Sequence, residues 1–155
     1  MFEGQLSGIF VAPRKCGDLE SVQRVEAVQG RGLTGDRYFL HEGTYSKKDG
    51  PDREVTLIEA EAVEAILQEN EIAVAPNECR RNLLTRGVPL NHLVGKEFSV
   101  GTVKLRGIRL CEPCGHLEKL TARKGIEKAL LHRGGLRAQI LQSGTLNVGD
   151  AIRPT

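Results

Sequence analysis

In Val103-Lys104-Leu105-Arg106-Gly107-Ile108-Arg109-Leu110 the apolar residues fall at Val103 and Leu105, then at Ile108 and Leu110. A two-residue alternation, the mark of a half-buried strand, therefore slips by one position at Gly107. A slip at a glycine is the signature of a β-bulge, which bends the strand and increases its twist. Bulges of this kind recur in barrels and beside functional sites, so this stretch predicts a curled rather than a flat sheet.

The segments on either side extend the pattern. Phe98-Ser99-Val100-Gly101-Thr102-Val103 sets apolar residues around a Val-Gly turn, and Leu146-Asn147-Val148-Gly149-Asp150-Ala151-Ile152 repeats the arrangement, so each predicts a hairpin. Further out, Gln5 to Pro13, Ser21 to Val28, Arg53 to Ile58, Arg81 to Thr85 and Leu136 to Leu141 read as short strands. Glu59 to Glu69 reads as a helix with Ala62, Val63, Ile66 and Leu67 on one face. Thr121 to His132 predicts a second helix, ended by Gly134-Gly135, and Pro89 to Val94 a helical turn. Gln29 to Asp52 is a long polar, glycine-bearing loop, and loops of that length in small domains usually carry function or mobility. The sum is about eight short strands and two or three helices, a mainly β fold in a single domain.

The 155-residue length is enough for one core without disulfide support. With 22 basic and 20 acidic side chains the net charge is +2, which gives no reason to expect nucleic acid as a partner. No apolar run approaches the roughly 18 residues of a membrane span. The start, Met1 to Leu6, lacks the basic and apolar regions of a signal peptide, so a cytoplasmic location is expected. Four cysteines are too few for a disulfide scaffold.

Chemistry concentrates in Cys111-Glu112-Pro113-Cys114-Gly115-His116. Pro113 stops the preceding strand and the following residues can begin a helix, so Cys114 is expected at a strand-to-helix junction. Nearby backbone N–H groups there favour thiolate over thiol. A thiolate ligates metals, attacks sulfur and carries persulfide. Zinc is the competing reading of Cys-x-x-Cys, but no second pair exists, and a thioredoxin-like redox pair would need a βαβ context. Cys16, Cys79 and Cys111 read as buried, inert thiols.

Three further segments pair arginine with turn residues: Gly32 to Arg37, Glu78 to Leu83, and His132 to Arg137. The planar guanidinium fork suits phosphate and carboxylate, and glycine lets backbone approach an anion. If the three loops converge they form a cationic pocket; if they do not, the arginines make weak surface pairs.

These stretches together resemble the MOSC domain family, named for the C-terminal domain of molybdenum-cofactor sulfurase. The resemblance rests on Gly32 to Arg37, Arg53 to Glu59, Arg80 to Leu83, Leu93 to Lys96, Cys111 to Cys114 and Gly134 to Arg137, in order along nearly the whole chain. It is nearest to the compact stand-alone bacterial members. It implies a closed, distorted β-barrel with peripheral helices, with Cys114 as the family's hallmark cysteine and metal ligand. It implies that Arg80 and Asn82 hold the phosphate end of a molybdenum cofactor (molybdopterin), with Arg37, Arg133 and Arg137 as further cofactor-binding candidates. The length leaves no room for the extra barrel of the reductase relatives or the desulfurase domain of the sulfurases. Three functions follow. The first is a molybdenum-cofactor protein that reduces N-hydroxylated or other N–O small-molecule substrates with electrons from an electron-transfer protein. The second is a sulfur carrier holding a persulfide on Cys114, supplied by a separate cysteine desulfurase. The third is a non-enzymatic barrel that binds an anion or a partner.

Overall fold

In the computed structural model, which describes residues 1–14, 17–40, 50–113 and 115–155, the N- and C-terminal strands meet and close a barrel. Strand β1 (Gly4–Val11) pairs antiparallel with β11 (Ala151–Pro154), Gly4 opposite Ile152. From there the wall runs through β7 (Glu97–Val100), β8 (Val103–Leu110), β9 (Leu136–Gln142), β5 (Val55–Glu59) and β6 (Leu83–Arg86) back to β1. Only the β5–β6 pairing in this ring is parallel, and α1 (Ala60–Asn70) makes the crossover it requires. A short β2 (Glu20–Val22) lies against β1, and β10 (Gly144–Asn147), β3 (Arg24–Val28) and β4 (Gly32–Leu33) form a separate small sheet. Among the described residues, no helix is long and apolar enough to cross a membrane.

Alternation sorts the strand residues into two cores. Leu6, Leu57, Leu83, Leu105, Leu136 and Ile140 fill the barrel. Their neighbours Ile58 and Leu84 point outward and pack beneath Ile66 of α1, Leu117 of α2 (Gly115–Thr121) and Ile126 of α3 (Ile126–Ala129). The wall made by β1, β5 and β6 is therefore covered on both faces, as its near-continuous apolar sequence requires.

The bulge expected at Gly107 is present: the β8–β9 register shifts between Gly107 and Arg109. Gly107 is required for a second reason. A Cβ there would lie 2.1 Å from the Leu93 carbonyl oxygen, because the turn Leu90–Leu93 crosses at this point and Gly95 N donates to Gly107 O.

Several sequence expectations change in detail. The strand expected over 21–28 breaks at Gln23, its halves joining different sheets. The hairpin expected over 146–152 is instead a sheet switch. Asp150 caps the turn by accepting from Asn147 N, and β10 and β11 then diverge to separate sheets. The helix expected over 121–132 is interrupted, because Ala122 and Gly125 adopt left-handed backbone between α2 and α3. On α1 Leu67 is exposed, while Ala62 and Ile66 are buried as its pattern predicts.

Candidate functional site

Where the helices do not cover the outer wall, Thr56 of β5 and Arg137 of β9 face outward directly opposite one another. They form the floor of a cleft on the barrel's outer wall. Its walls come from distant parts of the chain: Arg37 and Tyr38 after β4, Arg80 and Arg81 before β6, and Cys111, Glu112, His116 and Leu117 around the start of α2.

Each arginine is held by built contacts. Asp36 is fully buried, and its Oδ1 accepts from Ala12 N and Arg37 Nη1 while Oδ2 accepts from Tyr38 N. One carboxylate thus fixes both residues that enter the cleft from this loop. Arg37 Nη2 also donates to Arg80 O, and its guanidinium lies 4.7 Å from the Tyr38 ring centroid. Arg80 adopts left-handed backbone at φ 61° and donates to Gly17 O at 2.7 Å. Arg81 spends its donors on Gly134 O, Cys79 O and Cys111 O, pinning the cysteine-bearing connection to the barrel. Burial works to lower the pKa of Arg137. The neighbouring Cys111 thiol, the Tyr38 hydroxyl and the Asp52 carboxylate outweigh that effect and raise it.

Among the described residues the lining holds one acid, Glu112, and it is engaged by His132, whose N donates to Oε1 at 2.8 Å and whose Nδ1 lies 2.9 Å from Oε2. Four arginines, Arg37, Arg80, Arg81 and Arg137, thus line one cleft, Arg37 paired with the buried Asp36.

Cys114 and Cys16 lie outside the described residues; the neighbours of position 114 in the chain, Glu112 and His116, line the cleft. Cys111 is buried, its N donating to Gly135 O at 2.7 Å. Burial pushes the Cys79 thiol up to about 11, which makes it an inert core residue.

Of the arginines singled out in the sequence, Arg37, Arg80 and Arg137 meet at this cleft. Arg133 does not. It faces a groove between α1 and α3, where its Nη2 pairs with Glu69 at 2.8 Å and its Nε donates to Ala129 O. The adjoining glycines pack against backbone: a Cβ on Gly134 would meet Cys111 O at 2.6 Å. Asn82 lies beneath the cleft, fully buried. Its Nδ2 donates to Phe10 O, its Oδ1 accepts from Thr56 N and Oγ1, and its own N donates to Thr56 Oγ1. It acts on the cleft through Thr56. Sequence reasoning passed over Tyr38, Thr56, Glu112 and His116. Tyr38 and Glu112 each adjoin a residue it did single out, but Thr56 was hidden in an apolar strand.

Among the described residues, no group of three His, Cys, Asp or Glu side chains is placed to hold a metal ion. A family model described as MOSC domain matches residues 44–153. No curated protein matches. The fold is similar to that of YuaD from Bacillus subtilis, at TM-score 0.78 and 16% identity over 98% of this chain and 97% of that one. It is also similar to YiiM from Geobacillus stearothermophilus (TM-score 0.74, 16% identity, 98% and 75% covered). YiiM from Escherichia coli is a third relative in structure, at TM-score 0.69 and 18% identity over 100% of this chain and 70% of that one.

Proposed function

Because the chain belongs to the MOSC domain family, we propose that its arginine-lined cleft binds a molybdenum–pterin cofactor through the cofactor's phosphate, with Cys114 as the protein's thiolate ligand to the metal. The observation that carries this reading is the meeting of Arg37, Arg80 and Arg137, far apart in sequence, around one cleft, where Glu112, the one acid among the described lining residues, is already engaged. Guanidinium groups make strong charge-assisted bonds to phosphate, about 1.5–3 kcal/mol each. A metal that takes most of its sulfur ligands from the cofactor needs one protein thiolate, the role Cys114 would fill.

When bound, the cofactor would supply a metal position at which an N–O bond can be reduced, with electrons from a separate electron-transfer protein. The chain's own residues bind and orient. Asp36 locks Arg37, Asn82 fixes the Thr56 hydroxyl on the floor, and Arg81 holds the segment leading to Cys114 against the barrel. Leu117 and the Tyr38 ring supply the apolar part of the wall.

Metal and sulfur analysis of protein isolated from a host that makes the cofactor tests the reading. About one molybdenum per chain, lost in Cys114→Ser, is expected. A protein without molybdenum that gains cyanide-labile sulfur on Cys114 from a cysteine desulfurase is a sulfur carrier instead. A protein with neither is an anion-binding barrel.

A further inference from the structure

A carboxylate on the wall of an arginine-lined cleft has a natural partner in a guanidinium, whose planar fork matches it. Glu112 does not take one. It lines the cleft with Arg37, Arg80, Arg81 and Arg137, yet among the described residues both of its oxygens go to His132, which is not part of the lining. His132 N donates to Oε1 at 2.8 Å, and its Nδ1 lies 2.9 Å from Oε2. His132 makes this grip from left-handed backbone at φ 65°, a conformation unfavourable for residues that carry a Cβ. Its carbonyl accepts from Asn91 Nδ2 at 2.6 Å, which ties it to the turn Leu90–Leu93. The chain on either side of Glu112 is fixed as well. Cys111 N donates to Gly135 O, Cys111 O accepts from Arg81 Nη2, and Pro113 packs so closely on Gly134 that a Cβ there would lie 2.8 Å from Pro113 Cδ. What remains variable at Glu112 is its side chain, and His132 sets its direction.

We infer that His132 is a positioning residue for anion binding: it draws the Glu112 carboxylate away from the cleft arginines and so leaves them to an incoming oxyanion. Released from His132, the carboxylate competes for the same guanidiniums, and as part of the same chain it does so at high effective concentration. The ligand class this arrangement favours is a small molecule bearing a phosphate-like or other compact oxyanion. A neutral molecule of the same size gains nothing from it. The imidazole is 75% exposed and acts only through Glu112. The inference rests on reading the cleft as an anion site and does not require that the anion belong to a molybdenum cofactor.

The test is a double-mutant cycle with inorganic phosphate as the probe, titrated by calorimetry into the cofactor-free full chain. His132→Gly suits the left-handed backbone and removes only an exposed ring, so the variant should fold. It should bind phosphate about tenfold more weakly, the worth of one charge-assisted pair. Adding Glu112→Gln to that variant should restore the affinity, because a neutral amide does not compete with an anion. In the unaltered chain Glu112→Gln should tighten binding far less, since His132 already holds the carboxylate aside. A general loss of positive charge would instead give the same gain from Glu112→Gln in both backgrounds. As a readout that needs no variant, the Nδ1 resonance of nitrogen-labelled His132 should stay at its hydrogen-bonded position when phosphate saturates the unaltered chain. Phosphate binding unchanged by His132→Gly, a loss that Glu112→Gln does not restore, equal gains in both backgrounds, or a His132 resonance that moves to the free position would each overturn the inference alone. No phosphate binding by the unaltered chain would overturn it together with the anion-site reading. The predicted cycle in a protein that never retains molybdenum would uphold it while removing the cofactor reading.

Discussion

Asn82 shows how a side chain can belong to a site without touching what the site binds. It stands where β6 has not yet begun to pair with β5, and its amide supplies the missing ladder bonds on both sides, to Phe10 of β1 and Thr56 of β5. Asn82→Ala strands a buried Phe10 carbonyl and a buried Thr56 N–H. It should cost about 3 kcal/mol in urea unfolding, from unsatisfied groups at about 1–3 kcal/mol each. Arg80→Ala, which removes the bond to Gly17 O among its contacts, should cost less, about 1–2 kcal/mol. The sequence marked both residues through a single basic cluster. It could not separate the arginine that lines the cleft from the asparagine beneath it, because that distinction depends on which side of a strand each faces. Glu54 went unnoticed for a similar reason. It is buried, and its Oε1 accepts from Gly30 N and Ile140 N. Burial raises its pKa above the ordinary value, and the two N–H bonds only partly offset this. A raised folded-state pKa means that the stability it contributes is present below the ordinary glutamate range and is lost as pH rises through the folded value. Glu54→Gln should therefore flatten the fall in stability between pH about 4.5 and neutrality, as followed by melting temperature against pH. An unchanged slope would assign the pH dependence to other groups, Glu59 foremost.

At the scale of elements, alternation and glycine placement carried most of the fold. The slip at Gly107 located a bulge, and Gly134-Gly135 located the start of β9. What alternation does not encode is which sheet a strand joins, so the breaks at Gln23 and Val148–Asp150 were not legible. Glycine type was also ambiguous. Gly135 looked like part of an anion loop, yet it has φ +113° and a Cβ there would sit 2.0 Å from Leu57 O. Gly30 has φ +78° with nothing within 4 Å. Gly135→Ala should prevent folding or cost well above about 3 kcal/mol, whereas Gly30→Ala should cost about 1–2 kcal/mol, the left-handed penalty alone. Similar losses at the two positions, measured by chemical denaturation, would contradict the close approach of β5 and β9 that forms the cleft floor.

For the whole molecule, a net charge of +2 gave no sign of a cleft lined by four arginines. Closure of the barrel by β1 and β11 brings together loops that lie far apart in sequence. Convergence is a property of the closed fold, and no single segment announces it. Three arginine-bearing turns were legible, and the fold draws Arg37, Arg80 and Arg137 together while turning Arg133 to the α1–α3 groove. That division makes the central claim measurable in one experiment: the amount of molybdenum and pterin phosphate retained by single Arg→Ala variants purified from a cofactor-producing host. Arg37→Ala, Arg80→Ala and Arg137→Ala should each retain about tenfold less than the unaltered chain, and Arg133→Ala should retain as much. Full retention by the three cleft variants, or an equal loss in Arg133→Ala, would contradict the account.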